Sequence, residues 1–271
     1  MTNQPIGVFD SGLGGLTAVK ELINLLPKEQ IVYFGDTGRV PYGTRGRETI
    51  VRYARQDAAF LLSMKVKLII AACGTVSSVA AELGDSLGVP FTGVVYPTCA
   101  AAAASTRNGK VGIIGTTATI RSGAYRRQLK TLNPSLEVFE QDCPLFVPLV
   151  ENGFIASDEQ ITLLVAERYL KGLREAGVDT LILGCTHYPM ISNIISAVMG
   201  GQVALIDSGR ETALYTARLL KERNLLCDPA QAGGCSFYVS DSTEGFSQIA
   251  SLFLGRDIDG SVSRIDIQAY S

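Results

Sequence analysis

Two cysteines, Cys73 and Cys185, occupy positions where a thiol could do acid–base or nucleophilic chemistry. Each follows an apolar run that is typical of a buried strand, KLIIAA before the first and TLILG before the second. Each precedes small or hydroxyl-bearing residues that predict a helix start, where the helix dipole and free backbone N–H groups favour a thiolate. The remaining cysteines are interpreted as small buried hydrophobic residues: Cys99, Cys143, Cys227 and Cys235.

The single histidine of the chain, His187, stands two residues after Cys185 in the motif LGCTHYP. A histidine beside a strand-end thiol can tune that thiol or exchange its proton. A Cys/His pair is also a nucleophile arrangement of hydrolases and transferases. The motif therefore indicates a reactive site and leaves the reaction open.

Polar groups also follow other strands. In FDSGLGGLTAV, Asp10 and Ser11 precede a glycine-rich turn that matches neither the dinucleotide-binding nor the P-loop pattern. Asp10 is either a helix cap or a carboxylate that binds an ammonium group or takes a proton from a thiol. Later turns add backbone amides and hydroxyls that suit a small carboxylate ligand, and one further carboxylate. Their residues are Pro41, Tyr42 and Gly43, then Thr116, Thr117 and Thr119, and finally Glu151.

These turns need a scaffold that brings them together. Nine short runs that are apolar throughout alternate with helical patterns, which predicts an α/β fold with mainly parallel sheets covered on both faces. The strand-like runs are PIGVF, QIVYF, KLIIAA, PFTGVV, KVGIIG, LEVFE, TLILG, QVALI and CSFYV. The clearest helical patterns span residues 16–26, 48–64, 158–176 and 211–223.

A weak internal repeat indicates two similar lobes. The segments VKLIIAACGT (66–75) and VDTLILGCTH (178–187) place a cysteine at the same point, and IGVFDSG (6–12) pairs with VGIIGTT (111–117). Chance similarity between apolar strands is the alternative. Two such lobes would form a ligand cleft at their strand ends. We expect one lobe in residues 1–96 plus 207–271, carrying Cys73, and another in 97–206, carrying Cys185.

Composition excludes several classes of protein. With a net charge of −2 and 18% charged residues, the chain has no broad basic surface for nucleic acid. No apolar stretch approaches the ~18 residues of a membrane span, and the first residues do not resemble a secretory leader, so we expect a soluble cytoplasmic protein. Six cysteines without a CxxC pair indicate free thiols, without a disulfide framework or structural zinc.

Two opposed thiols on either side of one ligand suit racemisation, because one group removes a proton from one face of a carbon and the other delivers a proton to the opposite face. A two-lobed ligand-binding protein with inert thiols is an alternative from another class. A pyridoxal-phosphate enzyme needs a Schiff-base lysine. The lysines Lys65, Lys67 and Lys110 stand at strand starts, away from the predicted cleft.

Six blocks of the sequence resemble, in the same order, blocks of the glutamate racemases of the aspartate/glutamate racemase superfamily. These blocks are FDSGLGGLTAV, YFGDTGRVPYGTR, AAC-x-T, GVVYPT, GTTATI and LGCTHYP. The resemblance covers Ile6 to about Gly209. It implies a homodimeric enzyme without cofactor or metal that interconverts L- and D-glutamate. It also implies a supply of D-glutamate for peptidoglycan, hence roles in cell wall biogenesis and cell shape, and a discontinuous first lobe.

The resemblance also implies roles for individual residues. Cys73 and Cys185 would transfer protons, Asp10 would assist Cys73, and His187 and Glu151 would assist Cys185. The substrate pocket would be lined by Ser11, Pro41, Tyr42, Gly43, Gly74, Thr75, Thr116, Thr119 and Thr186.

The chain departs from the family pattern directly after Cys73. Relatives usually have asparagine where this chain has Gly74, so a polar contact worth ~1 to 3 kcal/mol is missing unless water or another residue replaces it. A racemase of another acidic amino acid, such as aspartate, is the alternative that this change raises.

Overall fold

The strands of the molecule lie in two parallel sheets. The computed structural model describes residues 2–258 and 261–270, and within them ten strands form one six-stranded and one four-stranded sheet. The strands are β1 (Ile6–Asp10), β2 (Gln30–Gly35), β3 (Leu68–Ala71), β4 (Phe91–Gly93), β5 (Lys110–Gly115), β6 (Glu137–Asp142), β7 (Thr180–Leu183), β8 (Ala204–Asp207), β9 (Gly234–Val239) and β10 (Val262–Arg264).

Helices connect the strands and cover the sheets. The α-helices are α1 (Leu16–Leu25), α2 (Arg47–Ser63), α3 (Gly74–Val79), α4 (Val95–Ser105), α5 (Thr117–Ser122), α6 (Ala124–Leu132), α7 (Phe146–Glu151), α8 (Gln160–Glu175), α9 (Ser192–Met199), α10 (Ser208–Glu222) and α11 (Thr243–Leu254). Short 3₁₀-helices span Thr37–Arg39, Tyr42–Thr44, Ala81–Ser86, Tyr188–Ile191 and Ile267–Ala269. The predicted α/β fold is therefore confirmed.

The two sheets share one topology. The strand order is β10-β9-β2-β1-β3-β4 in the first sheet and β6-β5-β7-β8 in the second, and every pair of neighbours is parallel. The first four strands of each half thus follow the same order, with β1 matching β5 and β3 matching β7. The weak repeat in the sequence marks these two pairs of strands.

Both faces of each sheet are buried. Ile6 and Val8 of β1 pack in one hydrophobic cluster, whereas Phe9 of the same strand packs in another against α2. In the second sheet, Ile114 and Ile113 likewise belong to clusters on opposite faces. This burial on both sides explains why the strands are apolar throughout instead of alternating.

The chain changes sheet twice. It passes from β4 to β5 through α4 and returns from β8 to β9 through α10, and these two helices pack against each other. The strands β9 and β10 then extend the first sheet. The lobe boundaries at residues 96 and 207 stay a prediction, and the outer ends of the first lobe, residues 1 and 271, lie outside the described residues.

One local expectation needs correction, and one strand was not predicted. The run PFTGVV does not continue as a strand, because β4 ends at Gly93 and α4 begins at Val95, with Pro97 in the first helical turn where proline is tolerated. The strand β10 was not anticipated, and Ser263 and Arg264 within it are exposed. No helix among residues 2–258 and 261–270 is both long and apolar enough to cross a membrane.

Candidate active site

The two cysteines lie at the carboxyl ends of the matching strands. Cys73 follows β3 and stands at the N-cap of α3, and Cys185 follows β7; their exposed fractions are 5% and 6%. The turns that carry them touch, because a Cβ added to Gly74 would lie 2.3 Å from the carbonyl oxygen of Gly184 and 3.8 Å from the Cα of Cys185. The structure thus brings the two cysteine-bearing turns together between the sheets.

The Cys73 thiol is held in its protonated form. Its Sγ donates to the Ser11 Oγ at 3.5 Å. Burial, and then the negative charge of Asp10, raise the pKa of Cys73 to about 12, although the backbone N–H of Val76 acts in the opposite direction. The expectation that a helix start would favour a thiolate is therefore wrong for Cys73 in this arrangement, because burial outweighs the helix N–H groups.

Asp10 is the last residue of β1 and is almost fully buried. Its Oδ2 accepts a hydrogen bond from the Gly12 N–H at 3.1 Å, whereas its Oδ1 has no partner among the described residues. Burial raises the pKa of Asp10, and the charge of His187 opposes that shift. A buried carboxylate oxygen without a donor is suited to an ammonium group or a mobile proton.

His187 connects Cys185 to Glu151. Its Nδ1 lies 3.8 Å from the Cys185 Sγ, and its Nε2 lies 2.9 Å from Oε1 of Glu151, the last residue of α7. Burial works against charging the ring, but the hydrogen bonds to Cys185 and Glu151 outweigh it and raise the pKa of His187 to about 10. The ring is therefore an imidazolium at neutral pH, and this cation stabilises negative charge on the Cys185 sulfur.

The glycine-rich turn after β1 packs against the second cysteine turn. A Cβ on Gly14 would lie 2.1 Å from the Thr186 Oγ1 and 2.6 Å from the His187 Nδ1. On α1, the Thr17 Oγ1 donates to the Thr186 carbonyl at 3.2 Å. This turn thus allows a close approach between the halves, a role that the sequence analysis missed. The only feature of the sequence that could have indicated this contact was the double glycine of GLGG, which fits no phosphate-binding pattern.

Threonine hydroxyls meet across the cleft. The Oγ1 atoms of Thr75 and Thr116 are 3.0 Å apart, and Thr116 is also 3.0 Å from the Thr119 Oγ1. Thr116 caps α5 by accepting the Thr119 N–H, which fixes the position of its side chain. A Cβ on Gly43 would lie 3.0 Å from the Thr116 Cβ. These residues form a group of hydroxyls at a helix start, which suits a carboxylate.

Tyr42 turns its hydroxyl away from these threonines. The Tyr42 hydroxyl bonds Asp36 and, at 3.1 Å, the Asp57 Oδ2, and Arg39 donates to both carboxylates at 2.5 and 2.9 Å. Burial and then the charge of Asp36 raise the pKa of Asp57. A contact between Tyr42 and a ligand would therefore use its backbone, and neighbouring Pro41 is exposed. Asp36, Asp57 and Arg39 were missed as supports of this turn.

The structure offers little for other chemistries. Within the described part of the chain, no group of three or more His, Cys, Asp or Glu side chains is arranged to hold a metal ion. Lys67 is buried and pairs with Glu29 at 2.6 Å. It precedes β3, at the opposite end of that strand from Cys73. All six cysteines are free thiols, as expected.

The chain is similar to known racemases over nearly its whole length. The family model described as Asp/Glu/Hydantoin racemase matches residues 7–216. A glutamate racemase from Geobacter metallireducens is 48% identical over 97% of this chain and 97% of its own. The crystal structure of glutamate racemase from Francisella tularensis in complex with D-glutamate is 38% identical, covers 99% of both chains and has a TM-score of 0.92. A glutamate racemase structure from Bacillus anthracis gives a TM-score of 0.93 at 36% identity over 98% of both chains.

Proposed function

Because this chain belongs to the Asp/Glu/hydantoin racemase family, we propose that it interconverts L- and D-glutamate with Cys73 and Cys185 as the two proton-transferring groups. The protein is an enzyme, an amino-acid racemase, and the alternative of a binding protein with inert thiols is set aside. One observation carries the mechanism: matching strands of two similar sheets deliver one thiol each to the same cleft.

The reaction begins when one sulfur, as thiolate, takes the α-proton of glutamate. The C–H bond breaks, its electron pair stays on the α-carbon as a carbanion, and an S–H bond forms. The other thiol then delivers its proton to the opposite face, which forms the new C–H bond and leaves a thiolate. Each turnover therefore exchanges the protonation states of the two cysteines, and the reverse reaction starts from the exchanged form.

The surroundings of the two sulfurs differ in the way this reaction requires. Burial and Asp10 keep the proton on Cys73, which makes Cys73 the acid in the arrangement described. The His187 ring faces the Cys185 sulfur at 3.8 Å, and we assign Cys185 as the base on this contact. Glu151 supports His187 from its other nitrogen. The roles of Asp10, His187 and Glu151 as assisting residues rest on these contacts.

Substrate recognition is assigned to the polar groups around the sulfurs. The free Oδ1 of Asp10 would accept from the substrate ammonium group. The hydroxyls of Thr75, Thr116 and Thr119 would bind a carboxylate. The remaining residues proposed to line the pocket are Ser11, Pro41, Tyr42, Gly43, Gly74 and Thr186.

We further propose the cellular context that the family resemblance implies. The enzyme would act in the cytoplasm as a homodimer, without a cofactor, and would supply D-glutamate for peptidoglycan. Relatives in several bacteria carry the name glutamate racemase, which supports the activity on which this context depends. The net charge of −2 supports the absence of a nucleic-acid partner.

The proposed activity is tested with the wild-type protein in D₂O without added cofactor. L-Glutamate should lose its optical rotation and gain one deuterium at the α-carbon, because the proton delivered comes from a solvent-exchanged thiol. L-Aspartate is the matched comparison, since its side chain is one methylene shorter. Unchanged rotation and no deuterium with glutamate would reject the proposal; turnover of aspartate alone would assign the other acidic substrate.

A further inference from the structure

Gly74 presses directly on the backbone of the opposite half. Its missing Cβ would lie 2.3 Å from the Gly184 carbonyl oxygen, more than 1 Å closer than nonbonded heavy atoms ordinarily approach. Gly184 is in turn tied to β5, because its N–H donates to the Ile114 carbonyl oxygen at 2.8 Å. Only a residue without a side chain at position 74 permits this backbone contact.

Two further contacts close the cleft beside the same cysteines. Thr75, next to Gly74, bonds Thr116 of the opposite half through their hydroxyls at 3.0 Å. On the other side, Gly14 approaches Thr186 so closely that a Cβ would overlap its hydroxyl. The walls of the cleft therefore touch at three points around the thiols, and both thiols are at least nine-tenths buried.

Racemisation needs substrate to reach both sulfurs, which are 5% and 6% exposed behind these contacts. The α-carbon of the substrate must lie between the two sulfurs. The touching walls have to part before glutamate enters. We propose that Gly74 sets how far the cleft shuts on itself, so that a side chain at this position would hold the walls apart and leave the cleft open to substrate.

The expected change in KM rests on the proposed function, whereas the expected change in access to the two thiols does not. A binding-competent form that is only partly populated weakens the apparent affinity in proportion to its population. If the shut form held about nine-tenths of the molecules, removing it would strengthen the apparent affinity about tenfold. Gly74 is thus a positioning residue that controls access, and it touches no reacting atom.

The experiment compares wild type with Gly74→Ala. Iodoacetamide alkylation of Cys73 and Cys185, followed by mass spectrometry, reports access to the cleft without requiring any enzymatic activity. Initial rates with L-glutamate then give kcat and KM separately. Gly172→Ala is the matched control, because Gly172 is an exposed position of α8 where an added Cβ meets open space.

We expect Gly74→Ala to be alkylated several-fold faster at both cysteines and to have a lower KM for glutamate, with Gly172→Ala unchanged in both. Unchanged alkylation would overturn the inference, and so would a KM that stays equal or rises, since simple damage to packing raises KM and lowers kcat.

If Gly74→Ala fails to fold, Thr75→Val provides the test, because it removes the cross-cleft hydrogen bond at constant shape. Thr75→Val should also speed alkylation, and an unchanged rate would overturn the inference. Wild-type protein that fails to racemise glutamate rejects the proposed function and leaves the alkylation result interpretable.

Discussion

His187 and Glu151 form a hydrogen-bonded pair behind the second cysteine, with Nε2 and Oε1 2.9 Å apart and the opposite ring nitrogen 3.8 Å from the Cys185 sulfur. The hydrogen bonds to Cys185 and Glu151 keep the ring charged at neutral pH, with the pKa of His187 at about 10. A charged ring stabilises a negative sulfur, and a neutral ring does so far less. The basic side of the pH–rate profile should therefore depend on this pair.

Glu151→Gln should shift the basic side of the pH–rate profile. The amide keeps the shape of the side chain but removes the charge that favours the imidazolium, so the pKa of His187 falls from about 10 towards its ordinary value. Because the required form is the protonated one, activity should then be lost at a lower pH, by at least about one unit. The chain has one histidine, so its ring resonances can be followed directly by NMR titration.

Glu159→Gln is not a suitable control, because Glu159 caps α8. Glu175→Gln, at the exposed end of α8, is preferable and should leave the titration of His187 in place. An unchanged His187 titration in Glu151→Gln would show that the pair does not hold the ring in its charged form.

Asp10→Asn should change the reactivity of Cys73. After burial, the charge of Asp10 is the main cause of the raised pKa of the Cys73 thiol, so its removal lowers that pKa. Alkylation of Cys73 near pH 9 should become faster, while racemisation falls, by about 10²-fold for the loss of an acid–base partner. Asp158→Asn, at an exposed loop position, serves as the control. Slower or equal alkylation of Cys73 would contradict the assignment of Asp10 as its partner.

Tyr42→Phe should destabilise the fold and the substrate turn together. The hydroxyl bonds the buried carboxyl groups of Asp36 and Asp57, and its loss leaves the Asp57 Oδ2 without its partner, whereas Asp36 keeps its bond from Arg39. We expect the free energy of unfolding to fall by about 1 to 3 kcal/mol, measured by urea denaturation. The control is Tyr215→Phe, a partly exposed ring that packs edge-on against Tyr96. Equal losses in both variants would remove the special role assigned to the Tyr42 network.

The sequence predicts the scaffold well because its strands are buried on both faces. Apolar runs such as KLIIAA and TLILG have no other stable place than a covered parallel sheet, and the turn after each run falls where open α/β sheets bind ligands. Cys73, Cys185, Asp10 and His187 could therefore be singled out as strand-end or turn residues. The strand β10 carries no such pattern, since it is short and partly exposed at a sheet edge.

Contacts between distant segments could not be predicted from local pattern. Nothing in GLGG reveals that Gly14 meets Thr186, and nothing in AACGT reveals that Gly74 meets Gly184. The raised pKa of Cys73 likewise depends on burial by the assembled sheets, which outweighs the local effect of the helix start. In the sequence, Gly74 indicates only the loss of an asparagine amide; in the structure, it is also a point of backbone contact with the opposite half.

The central claim is that each thiol serves one face of the substrate. It is tested most directly by measuring racemisation of L-glutamate and of D-glutamate by Cys73→Ser and Cys185→Ser, with the partly exposed Cys235→Ser as control. Both single variants should lose at least about 10²-fold in rate in either direction, because one acid–base group is missing whichever enantiomer is supplied. Cys235→Ser should match wild type. Racemisation at the wild-type rate by either Cys73→Ser or Cys185→Ser would contradict the two-thiol account.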